Sequence, residues 1–233
     1  MIRYVNAGST EIAYELFRKS VKNLNLRVSS NGTVKVSIPY RVSFKAADEF
    51  VKRNAEFIIK AQKKAAEKSE AALDGISFLG SRLELTVIPC DKNYALLTDT
   101  ELKLYIKESE LTADRACAVR AAVNRWEKEK GKTLFPGMIE GLCKRFWGAG
   151  FEIPFPKLTV KSMKTRWGSC TAAKGKICLN AALVEKPVIC IEYVICHELS
   201  HFLVQNHSAD FYAVLGRVFP EHKRVRKLLN SLR

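Results

Sequence analysis

The sequence predicts an α+β fold: a strand-rich α+β region over residues 1–110, then a region over 111–233 organised around one apolar helix. Three observations lead there. Apolar residues alternate with polar ones at Leu24, Leu26 and Val28, at Val34, Val36 and Ile38, and at Leu83, Leu85 and Val87, the two-residue period of half-buried strands. Stretches with helical spacing and cap residues separate and follow those runs. The most apolar stretch, Pro187 to Val204, carries His197-Glu-Leu-Ser-His201.

Taken in order, Ser29-Ser-Asn-Gly-Thr33 is a hairpin signal built on Asn31-Gly32, between the first two alternating runs. Pro39 ends the second run, and Ser43 can cap a helix over 44–68. Strand signal returns over 83–106, with Pro89 breaking the run and Leu102, Leu104 and Ile106 resuming it. Thr112 is placed to cap a helix over about 113–130, Gly131 to end it, and Pro136 to open another reaching about Trp147. Leu158-Thr-Val-Lys161 reads as a strand. Thr165–Cys170 and Lys176–Asn180 read as a hairpin around Thr171-Ala-Ala-Lys-Gly175. Pro187 suits the first turn of a helix to about Gln205, which Asn206 can stop in a left-handed conformation. Ser208 and Asp210 then suit the start of the next helix, and Pro220 separates it from a basic last one.

Composition narrows the class. The 233 residues are 47% apolar, enough for a real core. The apolar stretch at 187–204 holds Glu192, His197, Glu198 and His201, so it does not suit a membrane span, and the N-terminus lacks the apolar core of a signal peptide. A cytoplasmic protein is expected. Seven cysteines in loose spacing, with no CxxC pair, read mostly as small core residues of a reduced protein. Cys170, Cys178, Cys190 and Cys196 lie near the histidines in sequence and leave a thiolate ligand open. The net charge is +15, of which residues 1–70 and 158–233 carry +7 each. That balance suits either nucleic acid or a solvated helix face.

The motif carries the chemistry. Residues four apart on a helix share a face, so His197 and His201 can chelate one ion, with Glu198 between them placed to take a proton from water. Zinc suits imidazole nitrogen and keeps an open position for water. His207 is ten residues from His197, about 1000° of helical rotation. It would miss that face in a continuous helix, and a turn near Asn206 would return it. Two hydrogen-bonded histidines and a salt-bridged glutamate are the structural alternative. His222 stands alone and reads as a surface residue.

Thr165-Arg-Trp-Gly-Ser-Cys170, Ile177-Cys-Leu-Asn180, His197-Glu-Leu-Ser-His201 and Asn206-His-Ser208 together resemble the YgjP-like metallopeptidases, a family related to the WLM and SprT-like zinc proteases. The hairpin around Asn31-Gly32 and the strand ending at Ile38-Pro39 extend the resemblance over nearly the whole chain. It implies a zincin-like fold with His197, His201 and His207 as metal ligands and Glu198 as the catalytic residue. The SprT-like relatives are associated with DNA–protein crosslink repair. Metzincins share the histidine spacing, but their glycine position is Val204 here and no methionine follows His207, which excludes a Met-turn.

The expected function is therefore that of a zinc metallopeptidase. One Zn²⁺ per chain would carry a water that Glu198 activates against a peptide bond. Arg166 and Tyr193 are candidates for steadying the oxyanion, against a structural salt bridge and simple packing. Asn180 is a candidate substrate contact, at the end of a Lys176–Asn180 edge strand that could pair with a peptide. Trp167 suits either a cleft wall or the core. Two other readings stay open: a basic nucleic-acid-binding protein with a structural or vestigial metal, including a DNA-associated protease, and a hydrolase of non-peptide amides or esters.

Overall fold

The computed structural model describes residues 1–8, 10–29, 32–71 and 75–232. The chain divides into two compact units, Met1–Asp74 and Gly75–Arg233. The sequence reading placed a boundary at 110. The strands at 76–107 instead belong with the C-terminal part, because Leu102, Leu104 and Ile106 are fully buried in the same core as the helices that follow.

The first unit is a four-stranded sheet covered on one side by helices. Its strands are β1 (Ile2–Ala7), β2 (Thr10–Arg18), β3 (Asn25–Val28) and β4 (Val34–Ile38), in the order β1-β2-β4-β3. Val34, Val36 and Ile38 point into a core with Ile12, Tyr14 and Leu16, the face their alternation predicts. β3 and β4 pair antiparallel, and Gly32 between them has φ +82°. Asn31 of the expected turn lies outside the described residues. Ser43 caps α1 (Phe44–Arg53), accepting from the Ala46 amide at 3.2 Å. The single helix expected over 44–68 is two, α1 and α2 (Ala55–Ala71), broken at Asn54. The Asn54 side chain donates to the Phe50 carbonyl there.

The second unit opens with β5 (Ile76–Phe78), β6 (Ser81–Cys90), β7 (Tyr94–Leu97) and β8 (Glu101–Lys107), in the order β5-β6-β8-β7. β6 runs through Pro89 rather than stopping before it. Pro89 pairs with Ile106 of β8, while β5 reaches only Leu83 on the other side. The missing N–H of proline therefore leaves no ladder bond unmade. α3 (Glu108–Gly148) follows, with a non-helical Asp114 whose carboxylate accepts from the Cys117 amide at 3.0 Å. Asp114, not Thr112, caps the long segment. Thr112 instead bonds back to the Glu108 carbonyl.

Gly131 and Pro136 were expected to divide that helix, and it runs through both. Phe135, Ile139, Leu142 and Phe146 bury one continuous face, which outweighs the roughly 3 kcal/mol an interior proline costs. Gly131 marks a close approach: a Cβ there would lie 2.8 Å from the Phe135 ring and 3.0 Å from Val160.

A second sheet joins β9 (Lys157–Lys161), β10 (Gly168–Thr171) and β11 (Lys176–Asn180) in the order β10-β11-β9. β10 and β11 form the expected hairpin, and β11 runs parallel to β9. β11 is thus the central strand, and β10 and β9 are the edges. That corrects the expectation that Lys176–Asn180 is open to a peptide. The rest is helical: α4 (Val188–Ser200), α5 (Ala209–Val218) and α6 (His222–Ser231). α4 buries Cys190, Ile191, Val194, Ile195, Cys196 and Leu199, as a helix apolar all round must. Among the described residues no helix is long and apolar enough to cross a membrane.

Replacing Gly131 by Ala should lower stability even though alanine is the better helix former. Overpacking costs about 1–3 kcal/mol against a propensity gain of about 1 kcal/mol. Urea unfolding measures the sign; a Gly131→Ala protein more stable than wild type would contradict the close approach to β9.

Candidate metal centre

α4 ends where the site begins. Its last residue is Ser200, whose hydroxyl donates to the Cys196 carbonyl, and His201 is its C-cap. The helix was expected to reach Gln205 and stop on a left-handed Asn206. It stops earlier, and among the described residues Leu79 alone, outside glycine, has positive φ. A tight reversal replaces the last expected turn, with the Phe202 amide donating to the Leu199 carbonyl and the Val204 amide to the Ser200 carbonyl. α5 starts after Ser208 as expected, although the Ser208 side chain makes no cap bond.

That reversal brings His207 back over α4. The rings of His197, His201 and His207 lie 4.9–5.0 Å apart, centroid to centroid. One nitrogen of each falls within 4.8 Å of the others, the one group of three or more such donors among the described residues that could hold a metal ion. The Nε2 atoms of His197 and His207 face each other at 3.0 Å. Two facing imidazole nitrogens are satisfied by a proton shared between them or by a common cation. His201 Nδ1 lies 3.1 Å from the Val204 carbonyl. Donation there makes Nε2 the free lone pair, the arrangement that orients a metal-binding imidazole.

Phe211 lies beneath the three rings. It is fully buried, with its centroid 4.7–4.9 Å from each of theirs. The sequence reading missed it, although its place four residues after His207 on the start of α5 was a usable signal.

Electrostatics favour neutral imidazoles. Burial, then the charges His201 and His207 would carry, push His197 down to about 3. Burial also lowers His201. Neutral imidazole is the metal-binding form. No cysteine joins the cluster among the described residues. Cys143, Cys190 and Cys196 are buried, while Cys170 lines the cavity as a thiol that burial pushes up to about 11.

Glu198 follows His197 and is 5% exposed. Burial pushes its carboxyl up to about 7, with Arg166 pulling the other way. β10 encloses it. A Cβ on Gly168 would stand 2.6 Å from Glu198 Oε1, so glycine in the Arg166-Trp-Gly-Ser stretch is what lets strand and carboxylate meet. A cavity of about 570 Å³ opens there. Its walls include Arg166, Gly168, Glu198 and the three histidines.

Two expectations change, those for Asn180 and His222, and the structure narrows the alternatives for three other residues. Asn180 is 4% exposed and fully engaged. It accepts from the amides of Met163 and Ala182 at 3.1 and 3.3 Å and donates to the carbonyls of Met163 and Arg166 at 2.9 and 3.0 Å. It pins the 163–166 loop and has no capacity left for substrate. Tyr193 is buried with its ring 6.1 Å from those of His197 and Phe219, and it lines a second cavity beside Glu198. Trp167 packs on the core and lines that same cavity, with Lys186 Nζ 5.5 Å above its ring. Arg166 makes no ion pair within 4.0 Å among the described residues and lines both cavities. His222 is buried rather than on the surface, stacked near Tyr212 with Nδ1 3.2 Å from the Phe219 carbonyl.

Three imidazoles around one point, beside a buried carboxyl and a strand edge, define a candidate metal-dependent hydrolytic site. The chain belongs to the YgjP-like family: the model of its metallopeptidase domain matches residues 22–232. Among solved structures, the metallopeptidase zymogen abylysin of Pyrococcus abyssi is similar at a TM-score of 0.36 and 22% identity, covering 41% of this chain and 90% of that one. No curated protein matches.

Gly168→Ala should leave the fold intact and displace Glu198. The expected result is a circular dichroism spectrum like wild type with peptide hydrolysis strongly reduced; full activity would show that the carboxylate does not need this approach.

Proposed function

We propose that this chain is a zinc-dependent peptidase of zincin-like architecture. His197, His201 and His207 would hold one divalent ion, and Glu198 would act as general base. The observation that carries the reading is the meeting of three imidazoles and one buried carboxyl on the wall of a single open cavity. The family match supports the peptidase class. A zinc ion bound there supplies Lewis acidity to a water and to the scissile carbonyl.

The protein's own part follows from its geometry. β10 has one strand partner, β11, and its other edge borders the cavity. An extended peptide pairing along that edge brings its backbone past Glu198. Glu198 takes a proton from the attacking water and returns it to the leaving amine. A carboxyl held near 7 is matched to both transfers at neutral pH. Arg166, exposed and facing the same cavity, offers positive charge where the carbonyl oxygen turns anionic.

Glu198→Gln should retain its metal and lose about 10²–10⁴-fold in hydrolysis. Metal analysis and a peptide digest read the two properties separately, and equal turnover would remove Glu198 from the mechanism. Because the ionised carboxylate is the active form, the wild-type rate should fall as pH drops below about 7. A cation beside it moves that limb to lower pH.

A nucleic-acid partner is a second proposal, supported by the open face of the first sheet. Tyr4 and Phe17 are exposed there on the same face as Arg27, and Lys19 Nζ lies 5.4 Å from the Phe17 ring, while Lys35 on that face pairs with Glu15. Stacking surfaces beside cations are what single strands use. Retention of a single-stranded oligonucleotide that weakens steeply with salt is expected, and no retention at low salt would reject this partner.

A further inference from the structure

The second cavity has a chemistry of its own. It encloses about 390 Å³ beside Glu198, and its lining includes Tyr193, His197, Glu198, Arg166 and Arg226. Val194 and Leu229 add apolar wall. Arg226 comes from α6, about sixty residues beyond the loop that carries Arg166, and the sequence reading did not single it out. Only folding sets the two beside one opening.

Neither guanidinium is held in an ion pair, although the charge of Arg166 reaches Glu198. Among the described residues neither has a carboxylate within 4.0 Å, although their neighbour Arg224 pairs with Glu221 at 2.8 Å. Arg226 Nη1 donates to the Tyr212 hydroxyl at 3.3 Å, a neutral partner that steadies the side chain without quenching its charge. The Arg166 backbone is held by Asn180. Glu198 is the one acid in the lining, and the proposed chemistry occupies it. Two guanidiniums without an ion pair, one of them held by the Tyr212 hydroxyl, at the mouth of a partly apolar cavity form a receptor for a planar anion, and carboxylate is the anion a peptide carries.

We infer that this cavity takes a carboxylate of the substrate, held between Arg166 and Arg226, so that the enzyme cleaves beside an acidic residue or beside a free C-terminus. The inference rests on the peptidase reading for its substrate class, but the cavity's affinity for carboxylate can be measured without turnover.

Three series of hexapeptides test it: blocked peptides carrying one Glu at each central position in turn, the same peptides with Gln, and peptides with a free C-terminus and no acidic side chain. Wild type should prefer Glu to Gln at one position by about 10- to 100-fold in kcat/KM, the worth of a charge-assisted pair. Arg226→Met should bring that ratio close to 1, mainly through KM, and Arg226→Lys should restore part of it. Preference for the free C-terminus instead, lost in the same variant, assigns the carboxylate to the chain end. A Glu-to-Gln ratio near 1 in wild type, with no preference for the free end, overturns the inference. Binding of the same peptides to Glu198→Gln, followed by calorimetry and by Trp167 fluorescence, separates the two readings. Arg226-dependent binding without any wild-type cleavage would sink the peptidase and keep the carboxylate site. Absence of Arg226-dependent binding would sink the site even if peptides were cut.

Discussion

Strand β10 crosses the end of helix α4 so closely that position 168 has no room for a side chain, and most of the site's properties descend from that contact. It excludes water from Glu198 and raises its proton affinity toward neutrality. It also presents the free edge of β10 along the same wall. One packing constraint thus tunes the acid and furnishes a track for an extended chain. The track is stiffened from behind, since β11 pairs on both sides and Asn180 at its end ties down the loop leading into β10.

The histidine cluster depends on a second constraint, the abrupt end of α4. A helix continuing past His201 would carry His207 around to another face. The reversal at 201–207 instead returns it to His197, and α5 then delivers Phe211 as an apolar floor for all three rings. An aromatic floor adds burial without adding a competing hydrogen-bond partner. Burial favours the neutral form of His197 and His201, and His201 is further oriented through the Val204 carbonyl. Glu198 then lines two cavities, one shared with the triad and one flanked by Arg166 and Arg226.

Much of this was legible in the letters. The alternation at Val34, Val36 and Ile38 and at Leu102, Leu104 and Ile106 names buried faces that the structure buries. The spacing of His197 and His201 places them on one face, and the need for a turn before His207 is arithmetic on the helical repeat. The errors share a cause. Gly131, Pro136 and Pro89 were read through local propensity, and each was overridden by a neighbour: Val160 and Phe135 for the glycine, the buried face of α3 for its proline, the short reach of β5 for the other. Asn180 read as free because its letter does not show that four backbone groups claim its amide.

By itself the sequence determined the kinds of element, the candidate donors and the acid next to the first of them, because these follow from periodicity and from the chemistry of residues close along the chain. Tertiary structure decided which strands are edges, how deeply Glu198 is buried, why position 168 is glycine, and that Phe211 and Arg226 belong beside the histidines. Those are properties of distance between segments far apart in sequence. Dielectric, steric exclusion and charge pairing act through space, so they acquire values only once the segments have packed.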